Sequence, residues 1–131
     1  MDRDKWFRRV LWYAVIFNLA GACLFAFPSS SIGRLAGLPS PVPQAYSAML
    51  AYFVVLFGGM YAWLALQPNI PRQLVAFAAI GKTGAFLTVL ATWHFGQIPG
   101  RAVVAAAGDL AFAAIFAGWL LANPKSVPPP N

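Results

Sequence analysis

The chain has no glutamate, one cysteine (Cys23), one histidine (His94) and only three acidic residues, Asp2, Asp4 and Asp109. Each scarcity closes off a class of chemistry. Without glutamate, paired-carboxylate acid/base catalysis is excluded within one chain. A lone thiol gives no intrachain disulfide, no CxxC pair and no redox relay, and inside an apolar run Cys23 reads as a small buried hydrophobe. One imidazole without a second His, a Cys pair or a Glu makes no recognisable metal site, and no Ser/His/Asp spacing suggests a nucleophile. His94, next to Trp93, reads as an interfacial residue. Nothing in the pattern calls for a cofactor. Charge itself is scarce: 9% of the 131 residues are charged and 60% are apolar, against roughly 25% charged in soluble domains.

What is present is apolar sequence in long runs. A spanning helix needs about 20 apolar residues, and the chain divides into four such runs with short interruptions. The expected spans are residues 8–27, 44–66, 72–95 and 101–122, in a single membrane domain with a loop at 28–43 and an extended tail at 123–131. Proline and polar clusters mark the breaks: Pro28-Ser29-Ser30-Ser31, Gln67-Pro68-Asn69-Ile70-Pro71 and Gly96-Gln97-Ile98-Pro99-Gly100. A secretory signal is the other reading of the first run. Its length, its Trp12, Tyr13 and Asn18, and the poor cleavage sequence "LFAFPSS" favour a retained span. In lipid, only helices or closed barrels satisfy the backbone, so the expected fold is all-α: an integral membrane four-helix bundle, up-down-up-down.

The first loop is longer than the others. Ser31 is placed to cap a short turn that presents Ile32, Leu35 and Leu38 to the interface, with Pro39, Pro41 and Pro43 stiffening the return. It reads as a connector on the headgroups or, more sharply, as a lid over a bundle cavity.

The net charge of +6 is spread singly or crowded beside the first span, a pattern that suits anionic headgroups rather than nucleic acid. Arg3, Lys5, Arg8, Arg9, Arg72 and Lys125 fall on one side, and only Arg34 and Arg101 on the other. The positive-inside rule makes the first side cytoplasmic, with both termini there. Trp6, Trp12, Trp63, Trp93 and Trp119, with Tyr13 and Tyr46, lie near predicted span ends and read as interface anchors.

"AFAAIGKTGAF", residues 76–86, ends its first eight residues like a phosphate loop, in Gly81-Lys82-Thr83. A phosphate loop needs free backbone N–H groups between a strand and a helix. Here the first glycine position is Ala76 and the segment is apolar helix. Gly81 with Ala85, and Gly84 with Thr88, instead read as small residues that let helices approach. Lys82 then stands about 15 Å into its span, near the bilayer midplane, where an unpaired charge costs about 3 kcal/mol on insertion scales. Asp109 lies about 12 Å into the next span. Antiparallel register leaves the two offset by roughly 7.5 Å, so direct contact is open, with Asn18, Tyr52, Tyr61 or a water as bridging candidates. These residues form a polar clasp fixing helix register or a ligand site, or else Lys82 alone snorkels to the interface. Ala102, Ala105, Ala106 and Ala113 on the stripe of Asp109 leave room for a neighbour or a ligand.

"FGGMYAWLAL" in the second run, "AIGKTGAF" in the third and "GDLAFAAIF" in the fourth, with the hydropathy of the whole chain, resemble the small four-span bacterial inner-membrane proteins called DoxX-like, together with related uncharacterised families. The resemblance implies a four-helix bundle in a bacterial cytoplasmic membrane, with some relatives serving as accessory subunits of membrane redox systems; it carries over no catalytic residues. The functional expectation is a non-enzymatic binding or accessory protein. It would hold an apolar or amphiphilic ligand, such as a lipid or quinone-like molecule, or a partner helix, with self-association or a larger membrane complex in view. The alternative is a small proton-coupled transporter using Lys82 and Asp109.

Overall fold

The computed structural model describes residues 3–124; Lys125 and most of the expected tail lie outside the described residues. Five helices follow one another: α1 (Arg3–Ala26), α2 (Ser31–Leu35), α3 (Gln44–Leu66), α4 (Arg72–His94) and α5 (Gly100–Ala122). No strand occurs among the described residues. The four long helices are each long and apolar enough to cross a membrane. Pro43, Pro71 and Pro99 immediately precede α3, α4 and α5. At such positions the missing N–H has no intrahelical partner to lose and the fixed φ leads into the first turn.

α1 begins five residues before the expected 8, because its basic first turns are tied across the bundle end. The Arg8 guanidinium donates to the Ala65 carbonyl (2.6 Å) and the Pro68 carbonyl (2.9 Å) where α3 ends. Arg3 donates to the Ala122 carbonyl (3.0 Å) and Arg72 to the Leu120 carbonyl (2.9 Å) at the end of α5. Cations thus satisfy carbonyls that the helix leaves open and sit at the negative pole of its dipole.

α1 packs along α3, and α4 along α5. The two pairs close on each other at the end where these arginines lie. There Phe7 stacks on Trp119 (centroids 4.5 Å apart, 14° between planes), and Phe116 meets both Phe7 and Tyr61 edge-on. Leu11, Ala14, Leu64, Val75 and Ala78 complete this core. Trp119 is therefore not an interface anchor: it is 7% exposed and its ring is inside the bundle end. Trp6, Trp12, Trp63 and Trp93 do present their rings outward. Cys23 also departs from expectation, lying exposed on the outer face of α1.

At the opposite end the chain between α1 and α3 forms a strap. Ser30, not Ser31, caps α2: its hydroxyl accepts from the Gly33 N–H at 3.1 Å. Helix initiation one residue earlier lets Ser31 occupy the first turn. Ile32 and Leu35 face outward, whereas Leu38 turns inward to line a cavity. Two glycines hold the strap down. A Cβ on Gly33 would strike the Pro28 backbone, and Gly37, at φ +81°, lies against Pro99 and Ala102 at the start of α5.

Candidate ligand-binding site

The offset predicted between Lys82 and Asp109 is bridged by the lysine stem. Lys82 Nζ lies 2.6 Å from Asp109 Oδ1 and 2.8 Å from Asn18 Oδ1, joining α4 to α5 and to α1. Asn18 is fixed in turn, since its Nδ2 donates to the Val54 carbonyl of α3 at 3.0 Å. Gly58 lies beside it on α3, where a Cβ would stand 3.4 Å from Asn18 Cβ. All four long helices therefore contribute to one polar cluster.

The remaining surroundings of the ammonium are aromatic. The rings of Phe17, Tyr61 and Phe112 have their centroids 4.9, 5.4 and 5.4 Å from Lys82 Nζ. A desolvated cation over a ring face gains about 2 kcal/mol or more, and three rings also exclude competing acceptors. Phe17 can take this position because Gly108 lies directly against its ring, where any Cβ would force it aside. Lys82 is left 4% exposed and Asn18 6%. Asp109 is the more open partner, at 21% side-chain exposure.

That opening leads into a cavity of about 660 Å³, within the ~300–1,000 Å³ range of small-molecule pockets. It begins at Asn18, Lys82 and Asp109 and runs between the α1–α3 and α4–α5 pairs toward the strap, whose residues 36–39 also line it. Its walls are almost wholly apolar. Phe25, Phe53 and Val54 stand on the first pair, and Ala85, Val89 and Ala106 on the second. Thr88 and Thr92, also on the wall, commit their hydroxyl protons to the Gly84 and Thr88 carbonyls one turn back, so they donate nothing inward. The alanines Ala102, Ala105 and Ala106 on the stripe of Asp109 do leave room: they line this space.

Of the sequence candidates, Lys82, Asp109, Asn18 and Tyr61 come together. Tyr52 does not: it is 62% exposed, pairs with the Phe53 ring and faces away from the cluster. Nine residues separate the two tyrosines, two and a half helical turns, which puts them on opposite faces. The glycines of the phosphate-loop look-alike also divide. Gly81 faces the Phe57 ring and the cavity, while Gly84 meets no neighbour, so only the first serves packing. Thr83 donates to the Ala79 carbonyl within a continuous α4, as a helix, not a phosphate loop, requires. Sequence reasoning did not find the aromatic cage or the Val54 carbonyl. Phe17 adjoins Asn18, and Phe112 lies one turn from Asp109, so position alone was the available signal.

No family model, no curated protein and no solved structure matches the chain.

Proposed function

We propose that this protein is a non-enzymatic binding or accessory component of a bacterial cytoplasmic membrane, holding one small apolar or amphiphilic molecule inside a four-helix bundle. The observation that carries the reading is the cavity of about 660 Å³ with a buried ion pair at its inner end and a chain strap across its outer end. A charge pair needed only to lock helix register would be better served by a filled core around it, since an empty space beside buried charge forfeits packing. The bundle runs up-down-up-down with the arginine-rich end cytoplasmic, in line with the resemblance to DoxX-like proteins and with Arg3, Arg8 and Arg72 at one end. Association with a larger membrane complex, or with a second copy, fits the same reading.

Native mass spectrometry of the protein released from lipid nanodiscs tests the binding. One retained apolar molecule per chain is expected, and repeated recovery of empty protein would count decisively against it. Orientation is checked in a Cys23→Ala background by impermeant maleimide on whole cells: Ser30→Cys should label from outside and Gln67→Cys only after permeabilisation. A second reading, a small proton-coupled transporter, draws on Asp109 opening to the cavity. It requires Asp109→Asn to abolish a proton-linked flux in proteoliposomes while the ligand remains bound.

A further inference from the structure

We propose that the cavity selects a neutral amphiphile with a hydroxyl head, whose O–H donates to the Asp109 carboxylate while its hydrocarbon tail fills the space toward the strap. This rests on the binding function proposed above and specifies the ligand's chemistry.

The polar groups at the inner end of the cavity differ in what each still has to offer a ligand. Two N–H bonds of the Lys82 ammonium are given to Asn18 Oδ1 and Asp109 Oδ1, and three aromatic rings surround it. One of its three N–H bonds remains, but the side chain is 4% exposed and ringed by aromatic faces, which leaves a ligand's acceptor little approach. Asn18 accepts from Lys82 at its oxygen and gives one of its two amide N–H bonds to Val54, and at 6% exposure it is nearly closed to the cavity. Asp109 differs. Its Oδ1 meets Lys82, its Oδ2 takes no hydrogen bond from the described residues, and it is the most open of the three. An ionised carboxylate only accepts, so the group facing the ligand calls for a donor.

Charge narrows the donor. Lys82 and Asp109 cancel each other, so a ligand of either net charge would bring an uncompensated charge to the middle of a bilayer. A carboxylate head would also meet Asp109 as a like charge, and an ammonium would meet Lys82. A hydroxyl carries the donor without the charge. It also has acceptor capacity for Tyr61, whose side chain lines the same cavity and can donate or accept. With the hydroxyl protons of Thr88 and Thr92 committed to carbonyls one turn back, the apolar walls leave no side-chain donor beyond the inner end, so the rest of the ligand is hydrocarbon.

The test compares four probes of one chain length, dodecanol, its methyl ether, dodecanoate and dodecylammonium, at equal mole fraction in phosphatidylcholine nanodiscs holding the full-length protein. Occupancy is read by native mass spectrometry. A hydrogen bond to a charged acceptor predicts that the alcohol outbinds the ether by about tenfold or more, with both ions below the alcohol. In the Lys82→Met/Asp109→Leu double variant, which removes both charges together, alcohol and ether should bind alike; Ala106→Phe, which fills the cavity, should reduce all binding. Equal occupancy of alcohol and ether in the unmodified protein, or preference for either ion, overturns the hydroxyl assignment while leaving a binding cavity in place. Failure of all four probes to bind overturns both proposals.

Discussion

Lys82 is stable at mid-bundle because every part of its charge is answered: two oxygens at 2.8 and 2.6 Å and three ring faces. Removing a single partner leaves the other charge buried and unmatched, which typically costs about 3–5 kcal/mol. Lys82→Met and Asp109→Leu should therefore each lower the melting temperature sharply in detergent, and the double variant should recover much of the loss, a non-additivity measured by a thermal double-mutant cycle. Additive losses would mean that the two charges are energetically independent. The participants were legible in sequence because a charge in an apolar run is conspicuous; their contact was not. Register placed Lys82 and Asp109 about 7.5 Å apart, and only the direction taken by the lysine stem decided the outcome. Trp119 shows the opposite error. Its place near a span end suggested an anchor, but with Asp109, Phe112 and Phe116 it continues a stripe spaced by three and four residues, the signature of an inward face.

Among the elements, the strap carrying α2 carries most of what the sequence left open. Prolines and a serine cluster announced a break and a return, but no local pattern says whether such a segment rests on the membrane surface or turns into the bundle. The decision lies in contacts distant in sequence: Gly37 against Pro99 and Ala102, and the Arg101 guanidinium donating to the Arg34 carbonyl at 3.3 Å. Gly37 has a positive φ of 81° and no space for a side chain. Gly37→Ala should cost about 1–2 kcal/mol for the left-handed conformation alone, and it should lift the strap from α5. Faster release of bound ligand with a modest fall in melting temperature is expected in nanodiscs; unchanged release with the same fall would make the strap a passive connector. Gly59, which meets no neighbour, is the comparison site, where alanine should leave release unaltered.

On the scale of the whole molecule, composition and periodic breaks made the four long helices readable to within a few residues, apart from the start of α1, where distant carbonyls extend the helix through its arginines. What lay beyond sequence was the grouping of helices into pairs and the space left between them, since both arise from how bulky Phe17, Phe112 and Phe116 and small Gly58, Gly81 and Gly108 match across helices. One arrangement within that grouping bears on how the protein is made. Lys82 and Asp109 stand on α4 and α5, neighbours in sequence that also pack together, so each charge finds its counter-ion within one hairpin. A span with an unmatched lysine or aspartate faces an insertion cost of about 2.5–3.5 kcal/mol. If the nascent chain delivers α4 and α5 to the bilayer as a neutral hairpin, that cost is largely avoided before α1 and Asn18 ever meet Lys82. Chains bearing Asp109→Leu should then insert less efficiently, with a larger fraction showing α4 outside the membrane in a glycosylation-mapping assay during synthesis. Normal α4 insertion in that variant would show that the pair forms only after both helices are in place.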